Sequence, residues 1–208
     1  YKDDWSVMTT TYEVIICNFQ SGGYGLALQN SGIIQFQAYI SGAYHRAEAS
    51  MNILENNRYH FLVGTYDGKH LVLYVDGEEA GRTSISGNIT YHNTVPLAIG
   101  ANPNTSGIDS GYTFNGIIDN VSLWNKALTP EEVKYYMNRR LDGDEEGLVG
   151  YWPLDEGQGN ITHDLSPYQN HGTIYNAQWV EGKVDLKPYP PEPVIAILYS
   201  DNQKKIGD

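Results

Sequence analysis

The sequence has little cysteine, no long apolar run and few positive charges, and each shortage excludes a class of protein. Its 208 residues include one cysteine, Cys17, so a disulfide scaffold is excluded. No apolar run approaches the roughly 20 residues that span a bilayer, which argues against membrane insertion. The formal net charge of −12 repels phosphate backbones and argues against nucleic acid as a partner.

Turn residues, tyrosines and short apolar stretches are abundant instead. The 22 glycines and nine prolines predict many turns, and the 17 tyrosines suit strand faces and wet binding surfaces. Two Asp-Gly steps, at 67–68 and 76–77, stand beside alternating apolar runs and predict hairpins. Strands are predicted over residues 5–9, 14–18, 24–28, 33–39, 58–66, 71–75, 97–99, 114–123, 148–152 and 173–179.

One helix is predicted in the second half of the chain. Thr129 is a good N-cap, Pro130 takes the first helical position, and Glu132 stands three residues after the cap, which together form a capping box. We expect this helix to run to about Arg139. Many short strands with a single helix favour an all-β fold, a two-sheet antiparallel jelly-roll sandwich with the short helix packed against it.

Four stretches together resemble the laminin-G-like jelly-roll family of concanavalin A-like sandwiches. They are RYHFLVGTYDG at 58–68, LVLYVDG at 71–77, FNGIIDNV at 114–121 and WNKALTPEE at 124–132. The resemblance implies the same sandwich fold for most of the chain. It leaves the ligand open, because the superfamily contains lectins, glycan-binding modules, adhesion domains and glycosidases.

The segment 147–179 looks like one that often opens such domains, although here it comes last. We expect it to complete the same sandwich in permuted order, giving one domain over residues 1–187; the alternative is that it begins a second repeat. A proline-rich linker follows at Pro188 in place of another central strand, which favours completion. Residues 188–208 are then this linker and the start of a following domain, and Tyr1 is expected to lie inside a longer protein.

A glycosidase of this sandwich type needs two carboxylates on one face of a strand, which requires an even spacing. Residues 58–66 contain no carboxylate, residues 114–123 contain only Asp119, and the adjacent Asp155 and Glu156 would point to opposite faces. Glu48 stands alone, and the six histidines lack metal-ligand spacing. We therefore predict that the protein is not an enzyme.

The polar loop that begins at Asp164 offers oxygen atoms of the kind that calcium prefers. In the resembled family a structural calcium commonly joins this loop to the aspartate of the Gly-Ile-Ile-Asp stretch. The resemblance therefore implies a site formed by Asp119, Asp164 and Asn170, with His171 at the end of the loop. The alternative is that Asp164 and Asn170 cap turns and that Asp119 pairs with a basic side chain.

Sugar binding depends on aromatic rings and planar polar side chains, placed on loops or on a concave face. Three stretches predicted as loops, 41–46, 91–93 and 102–112, combine residues of both kinds. The ligand-binding residues predicted from them are Tyr44, His45, Arg46, Tyr91, Asn102 and Tyr112. The alternative is that these are ordinary exposed side chains.

These observations predict a non-catalytic, extracellular, lectin-like carbohydrate-binding module of a larger secreted or surface protein. Its partner would be a polysaccharide or another glycan, calcium would be a structural cofactor, and the module is expected to be monomeric. An adhesion domain that binds a protein and a spacer without a ligand are the alternatives. A broad apolar surface patch would favour adhesion, and a flat polar surface with buried aromatics would favour the spacer.

Overall fold

The computed structural model describes residues 1–19, 22–91, 95–104 and 107–181. These residues include fourteen strands, one α-helix and two short 3-10 helices. The first seven strands are β1 (Tyr12–Cys17), β2 (Tyr24–Gln29), β3 (Ile33–Ile40), β4 (Ala43–Ser50), β5 (Leu62–Tyr66), β6 (His70–Val75) and β7 (Glu78–Ser84). The others are β8 (Ala98–Ile99), β9 (Asn102–Asn104), β10 (Gly107–Asp109), β11 (Val121–Trp124), β12 (Leu148–Trp152), β13 (Ile161–Thr162) and β14 (Gly172–Thr173). The helix is α1 (Pro130–Tyr136), and 3-10 turns span Met51–Ile53 and Ser110–Tyr112.

The two largest sheets have the strand orders β4-β3-β2-β1-β8 and β5-β6-β7, and their neighbouring strands are antiparallel. Alternation along β3 directs Ile34 and Phe36 into one buried cluster with Leu71 and Leu73 of β6. Each such side chain contributes about 1.5–3 kcal/mol when it is fully buried. The main core is therefore a layer between two facing sheets, as predicted for an all-β sandwich.

Two hairpins are closed by two-residue turns in which both residues have positive φ. Asp76 and Gly77, with φ of 50° and 84°, join β6 to β7 and confirm the hairpin predicted from that Asp-Gly step. Ser41 and Gly42, with φ of 52° and 88°, join β3 to β4 in the same way. Positive φ at both positions is typical of the type I′ turn, whose twist matches that of the flanking strands. The prediction of a loop over 41–46 is wrong, because β4 begins at Ala43.

Several predicted elements also differ from the structure. The strand predicted over 58–66 begins only at Leu62, and of the strand predicted over 173–179 only Thr173 lies in β14. Residues 5–9 form turns instead of a strand, and Trp5 is held by bonds from its backbone N–H to Asn56 and from its indole N–H to the Glu55 carbonyl. Within 114–123 the strand begins only at Val121, where the pairing with β12 starts. The helix ends at Tyr136, one turn before the predicted end.

Helix α1 and the β11–β12 ladder cover the outer face of the three-stranded sheet. The predicted capping box is present, since the Thr129 hydroxyl accepts from the Glu132 N–H and the Glu132 carboxylate accepts from the Thr129 N–H. Behind it, Val133 packs against Val72 and Tyr74 of β6. None of the helices in the described ranges has the length and apolar character needed to cross a bilayer.

The beginning of the C-terminal segment is joined to this layer. Strand β12 pairs with β11, and Leu148 and Tyr151 pack with Leu141. The cluster continues into the helix layer through Trp124 and Tyr136. Completion of the sandwich by the whole of 147–187 stays a prediction, because residues 182–187 and the predicted linker lie outside the described residues.

Candidate functional site

The outer face of the five-stranded sheet carries a group of polar side chains on its central strands. Register pairs Gln35 with Glu48 and Gln37 with Arg46, and Gln29 stands diagonally across from Gln35 on β2. Their neighbours along each strand point the other way, into the core, because side chains alternate between faces. We call these five residues the polar face.

Hydrogen bonds connect the polar face internally. The Gln29 amide nitrogen donates to Gln35 Oε1, and Arg46 Nε donates to Gln37 Oε1 over 3.1 Å. Gln35 is completely buried, and its Nε2 has no hydrogen-bond partner in the described part of the chain. A buried amide donor without a partner is costly, so this nitrogen needs an acceptor that the described residues do not supply.

Two tyrosine pairs border the polar face. Tyr12 is the register partner of Gln29, and its ring stacks on Tyr112 with a centroid distance of 5.8 Å and an interplanar angle of 16°. Tyr39 and Tyr44 meet edge to face at 4.9 Å. The Tyr44 hydroxyl donates to the Gly22 carbonyl over 2.9 Å, which fixes the ring, and burial raises the pKa of this hydroxyl.

The structure brings four of the predicted ligand-binding residues to this side of the sheet. Tyr44 and Tyr112 pack against the same apolar cluster, and Arg46 belongs to the polar face. Asn102, in β9, reaches this cluster through Cys17, whose Sγ donates to Asn102 Oδ1 over 3.5 Å. The cluster consists of Val14, Cys17, Phe19 and Ala27.

The other two predicted residues lie elsewhere. His45 pairs with Ala38, a member of the main core, so it faces the opposite side of the sheet from Arg46. The Tyr91 ring meets Tyr24, which also packs against the main core. The predicted loop over 102–112 is wrong as well, because β9, β10 and a 3-10 turn occupy it; His92 and Asn93 lie outside the described residues.

Sequence reasoning missed the glutamines, although the signal was present. Strand β3 reads Ile-Ile-Gln-Phe-Gln-Ala-Tyr-Ile, and its burial alternates from Phe36 to Ile40, whereas Gln35 is buried although it belongs to the outer-facing set. The polar members of an alternating strand in a sandwich must form the outer face, so Gln35 and Gln37 could have been placed there. Strand β4, with its three alanines, lacks the β-branched residues that mark a strand, and it gave no such signal.

A cleft of about 290 Å³ lies beside the other sheet and was not predicted. Three segments form most of it, namely the residues before β5, the chain from Asp119 to Ser122, and the end of α1 with the residues after it. Asp76 of the β6–β7 turn and Tyr151 of β12 complete it. Its lining residues are Arg58, Tyr59, His60, Phe61, Asp76, Asp119, Asn120, Ser122, Tyr136, Met137, Asn138, Arg139, Leu141 and Tyr151. Of the residues predicted to bind a ligand or a metal, only Asp119 lines this cleft.

Asp119 stands in the loop before β11 and not inside a buried strand as predicted. Burial raises the pKa of its carboxyl above the usual range, and the neighbouring Asp155 carboxylate adds to this effect. The next residue, Asn120, has φ of 54°, a left-handed conformation that asparagine adopts more readily than most residues. Its Oδ1 accepts from the Tyr151 hydroxyl over 3.2 Å.

The ligand set predicted for calcium does not fit the loop that begins at Asp164. This carboxylate accepts four hydrogen bonds, from the Tyr151 and Asn170 N–H groups and from the N–H and hydroxyl of Ser166, at 2.8–2.9 Å. Four bonds use all the lone pairs of a carboxylate. The Asn170 carbonyl accepts from the Trp152 indole, and His171 Nδ1 accepts from the Asp164 N–H. The turn-capping alternative describes Asp164, so we expect no ion at this loop, and the calcium cofactor predicted from the sequence stays to be tested by melting with and without calcium.

Carboxylates are sparse on the polar face and in the cleft. On the polar face Glu48 is the single acid, whereas glycoside hydrolysis needs a pair. In the cleft Asp76 and Asp119 are both present, but Asp76 is engaged by His60 Nδ1 at 2.7 Å and by the Phe61 N–H at 2.9 Å. Across the described ranges no three His, Cys, Asp or Glu side chains are arranged to hold a metal ion.

Several solved structures are similar to this chain, and one of them superposes closely enough to support the fold. A proposed carbohydrate-binding protein from Bacteroides ovatus superposes with a TM-score of 0.61 at 20% identity, over 86% of this chain and 52% of that one. The chain thus spans about half of that protein. Domains LG4-5 of the mouse laminin α1 chain give a TM-score of 0.40 at 19% identity, over 52% of this chain and 30% of that one.

An S-layer domain-containing protein from Clostridium thermocellum gives a TM-score of 0.35 at 22% identity, over 64% of this chain and 67% of that one. The comparison with curated proteins gives no significant match. A family model for laminin G-type domains, described as the concanavalin A-like lectin/glucanases superfamily, matches residues 5–134. Since that match covers more than half of the sequence, the chain belongs to the laminin G-like family of the concanavalin A-like lectin/glucanases superfamily.

Proposed function

We propose that the protein is a non-catalytic module that binds an extended, neutral polysaccharide across its polar face. The observation that carries the proposal is the combination of three glutamines, an arginine and a glutamate between two tyrosine pairs, on a sheet face that is not used by the main core. Sugar rings offer hydroxyls to planar amides and C–H surfaces to aromatic rings, so this combination suits them.

The dimensions of the face favour a polymer over a single sugar. Neighbouring strands lie about 4.8 Å apart, so the three gaps from β1 to β4 span about 14 Å. The unmet Gln35 donor lies within this span, on β3. That donor is covered in the structure, so a water held beneath the bound chain, and not the chain itself, would satisfy it.

The charges on the face favour a neutral ligand. Arg46 and Glu48 are the charged members and their formal charges cancel. With one carboxylate the face lacks the pair that hydrolysis requires, which supports binding without catalysis. The Bacteroides ovatus relative, itself a proposed carbohydrate-binding protein, supports the same ligand class. Such polymers surround cells, so we place the module outside the cell.

The adhesion alternative has one observation in its favour. Nine large apolar side chains are exposed in the described ranges, and five of them fall within residues 161–180. They are Ile161, Leu165, Tyr168, Tyr175 and Val180. A protein partner that covers this segment would bury them. Tyr168→Ser with Tyr175→Ser should then weaken partner binding and leave polysaccharide binding unchanged.

Affinity electrophoresis in gels that contain neutral or anionic polysaccharides tests the proposal. We expect retention by at least one neutral polymer, without release of reducing sugar. Gln37→Ala and Tyr112→Ala should each weaken retention about tenfold, the equivalent of 1.4 kcal/mol. The matched control is His45→Ala, which changes the neighbour of Arg46 on the opposite face and should leave retention unchanged.

Equal retention of wild type, Gln37→Ala and Tyr112→Ala would place the site elsewhere. Release of reducing sugar that one Asp or Glu substitution abolishes would show that the module is catalytic. Melting curves of every variant establish that a loss of retention does not come from unfolding.

A further inference from the structure

We propose that the cleft formed by Asp119, Asn120, Tyr136 and the residues before β5 is a second binding site, which takes one neutral sugar ring. It lies beside the three-stranded sheet, whereas the polar face belongs to the five-stranded sheet. The inference does not rest on the polar face, because different residues form the two surfaces.

The backbone conformation of Asn120 brings two polar side chains into the cleft together. Consecutive residues of a regular strand point to opposite faces. With Asn120 at φ 54°, the chain departs from that pattern, and both Asp119 and Asn120 line the same space. The bond from the Tyr151 hydroxyl to Asn120 Oδ1 leaves the amide nitrogen as the donor end. A carboxylate acceptor and an amide donor thus stand side by side, as two adjacent ring hydroxyls require.

A supported aromatic ring forms another wall. Tyr136 lies 4.9 Å from the Trp124 ring, with an interplanar angle of 33°. The Trp124 indole donates to the Ser122 hydroxyl over 3.0 Å, and Ser122 also lines the cleft. A ring held in this way gives contact area to a ligand at little cost in conformational entropy. The same contacts make Trp124 a fluorescent reporter for the cleft.

The charges that line the cleft balance. Arg58 and Arg139 stand against Asp76 and Asp119, so the formal sum is zero. Arg58 also pairs with Glu55 at 2.9 Å, and this pair is exposed. A charged ligand would add a charge that no group lining the cleft compensates, and such a charge is costly where it is partly shielded from water.

The volume of the cleft suits a single sugar ring. Its volume of about 290 Å³ stands at the lower end of the range for small-molecule sites, about 300–1,000 Å³. A polysaccharide would therefore enter by its terminal residue, while an internal stretch would suit the longer polar face. The two sites together would let the protein hold a chain end and a chain interior.

Titration with free monosaccharides tests the proposal, followed by Trp fluorescence and by calorimetry. The probes are glucose, galactose and mannose as neutral rings, glucuronic acid as an anion and glucosamine as a cation. We expect at least one neutral ring to bind with a dissociation constant on the order of 1 mM, and the charged rings to bind at least tenfold more weakly. Each titration is run with calcium and with chelator.

Asn120→Gly is the diagnostic variant, because glycine accommodates the positive φ and removes the side chain that carries the amide donor and the acceptor of the Tyr151 hydroxyl. This variant should weaken the binding of the neutral monosaccharide at least tenfold. Asn176→Gly is the matched control, since Asn176 also has positive φ, at 57°, is exposed and lies outside the cleft. If Asn120→Gly melts early, Asn138→Ala, at an exposed lining position beyond the end of α1, replaces it.

The outcomes separate this site from the polar face. Gln37→Ala should lose polymer retention and keep monosaccharide binding, and Asn120→Gly should do the reverse. Absence of binding by every neutral ring up to 100 mM would overturn the cleft proposal and leave the polar face intact. Monosaccharide binding that Gln37→Ala abolishes and Asn120→Gly does not would assign the ring to the polar face and equally overturn the proposal.

Discussion

The N-terminal and C-terminal segments of the chain are each held by a buried carboxylate, but the two carboxylates are balanced differently. Glu13 is completely buried, and the ammonium of Lys2, itself 4% exposed, lies 2.6 Å from it. Lys2 Nζ also donates to the Val7 carbonyl over 2.7 Å. Asp164 is 2% exposed and accepts four hydrogen bonds, three of them from backbone N–H groups and none from a cation.

The difference shows two ways in which a protein stabilises a buried carboxylate, by an ion pair or by neutral hydrogen-bond donors. A full opposite charge makes each member of the pair depend on the other, since removal of one leaves a buried ion. At Asp164 several neutral donors together stabilise the buried carboxylate, and most of them belong to the loop from Asp164 to Asn170. Burial raises the pKa of the Asp164 carboxyl, and its donors lower that pKa by more, so the net shift is downward.

The largest effect is expected from removing the C-terminal segment. A chain that ends after Arg140 lacks β12 and leaves β11 as an open edge, with Trp124 and Tyr136 less covered. We expect aggregation and the loss of a cooperative melting transition. The full chain is the control, and a soluble, sharply melting form ending at Arg140 would contradict the prediction.

Next in size is the effect of breaking the ion pair. Lys2→Met leaves Glu13 buried without a counter-charge, so the free energy of unfolding should fall by about 3–5 kcal/mol. The double variant Lys2→Met with Glu13→Leu removes the stranded charge and should regain most of that loss. Urea denaturation measures both, and a single-variant loss below about 1 kcal/mol would show that the pair is not buried in solution.

A smaller effect is expected at Asp164, and it depends on pH. Asp164→Asn turns two acceptor positions into donors that face other donors, so it should cost about 2 kcal/mol at pH 7. Because the folded-state pKa of Asp164 is lowered, its contribution is present above the unfolded value of about 4 and is lost as pH falls. The difference between wild type and variant should therefore shrink from pH 6 to pH 3. Exposed Asp144→Asn is the control, and it should cost far less than Asp164→Asn at pH 7.

The smallest effect is expected from calcium. Melting curves in chelator and in excess calcium should nearly coincide, because the oxygens of Asp164 are already used by protein donors. An ion bound to the folded state alone would add about 2.7 kcal/mol at a hundredfold excess over its dissociation constant. A rise of that size that Asp119→Asn removes would restore the predicted calcium site.

Local sequence signals predicted the elements whose residues act within a few positions of each other. The capping box at Thr129 and the Asp76-Gly77 turn depend on neighbours in sequence, and both are present. Strand β4 was not predictable in this way, since its alanines become strand residues only through their pairing with β3. The start of β11 likewise depends on β12, about 25 residues later.

The candidate surfaces were predictable to different degrees for the same reason. Alternation along β3 is a local pattern, so Gln35 and Gln37 could be read from it. The cleft is formed by three segments, 58–61, 119–122 and 136–141, together with Asp76 and Tyr151, and no spacing rule relates them. Its key feature, the positive φ of Asn120, carries no signal in the sequence, because asparagine also occupies ordinary strand and loop positions.

Cys17, buried in the cluster beneath Tyr44 and Tyr112, has a practical consequence for labelling. Burial raises the pKa of its thiol to about 12, so at neutral pH its reactive thiolate fraction is about three orders of magnitude below that of an exposed cysteine. The chain has no other cysteine. With a cysteine introduced at exposed Asn176, a maleimide dye would therefore label that residue and not Cys17, and the wild-type protein would stay unlabelled.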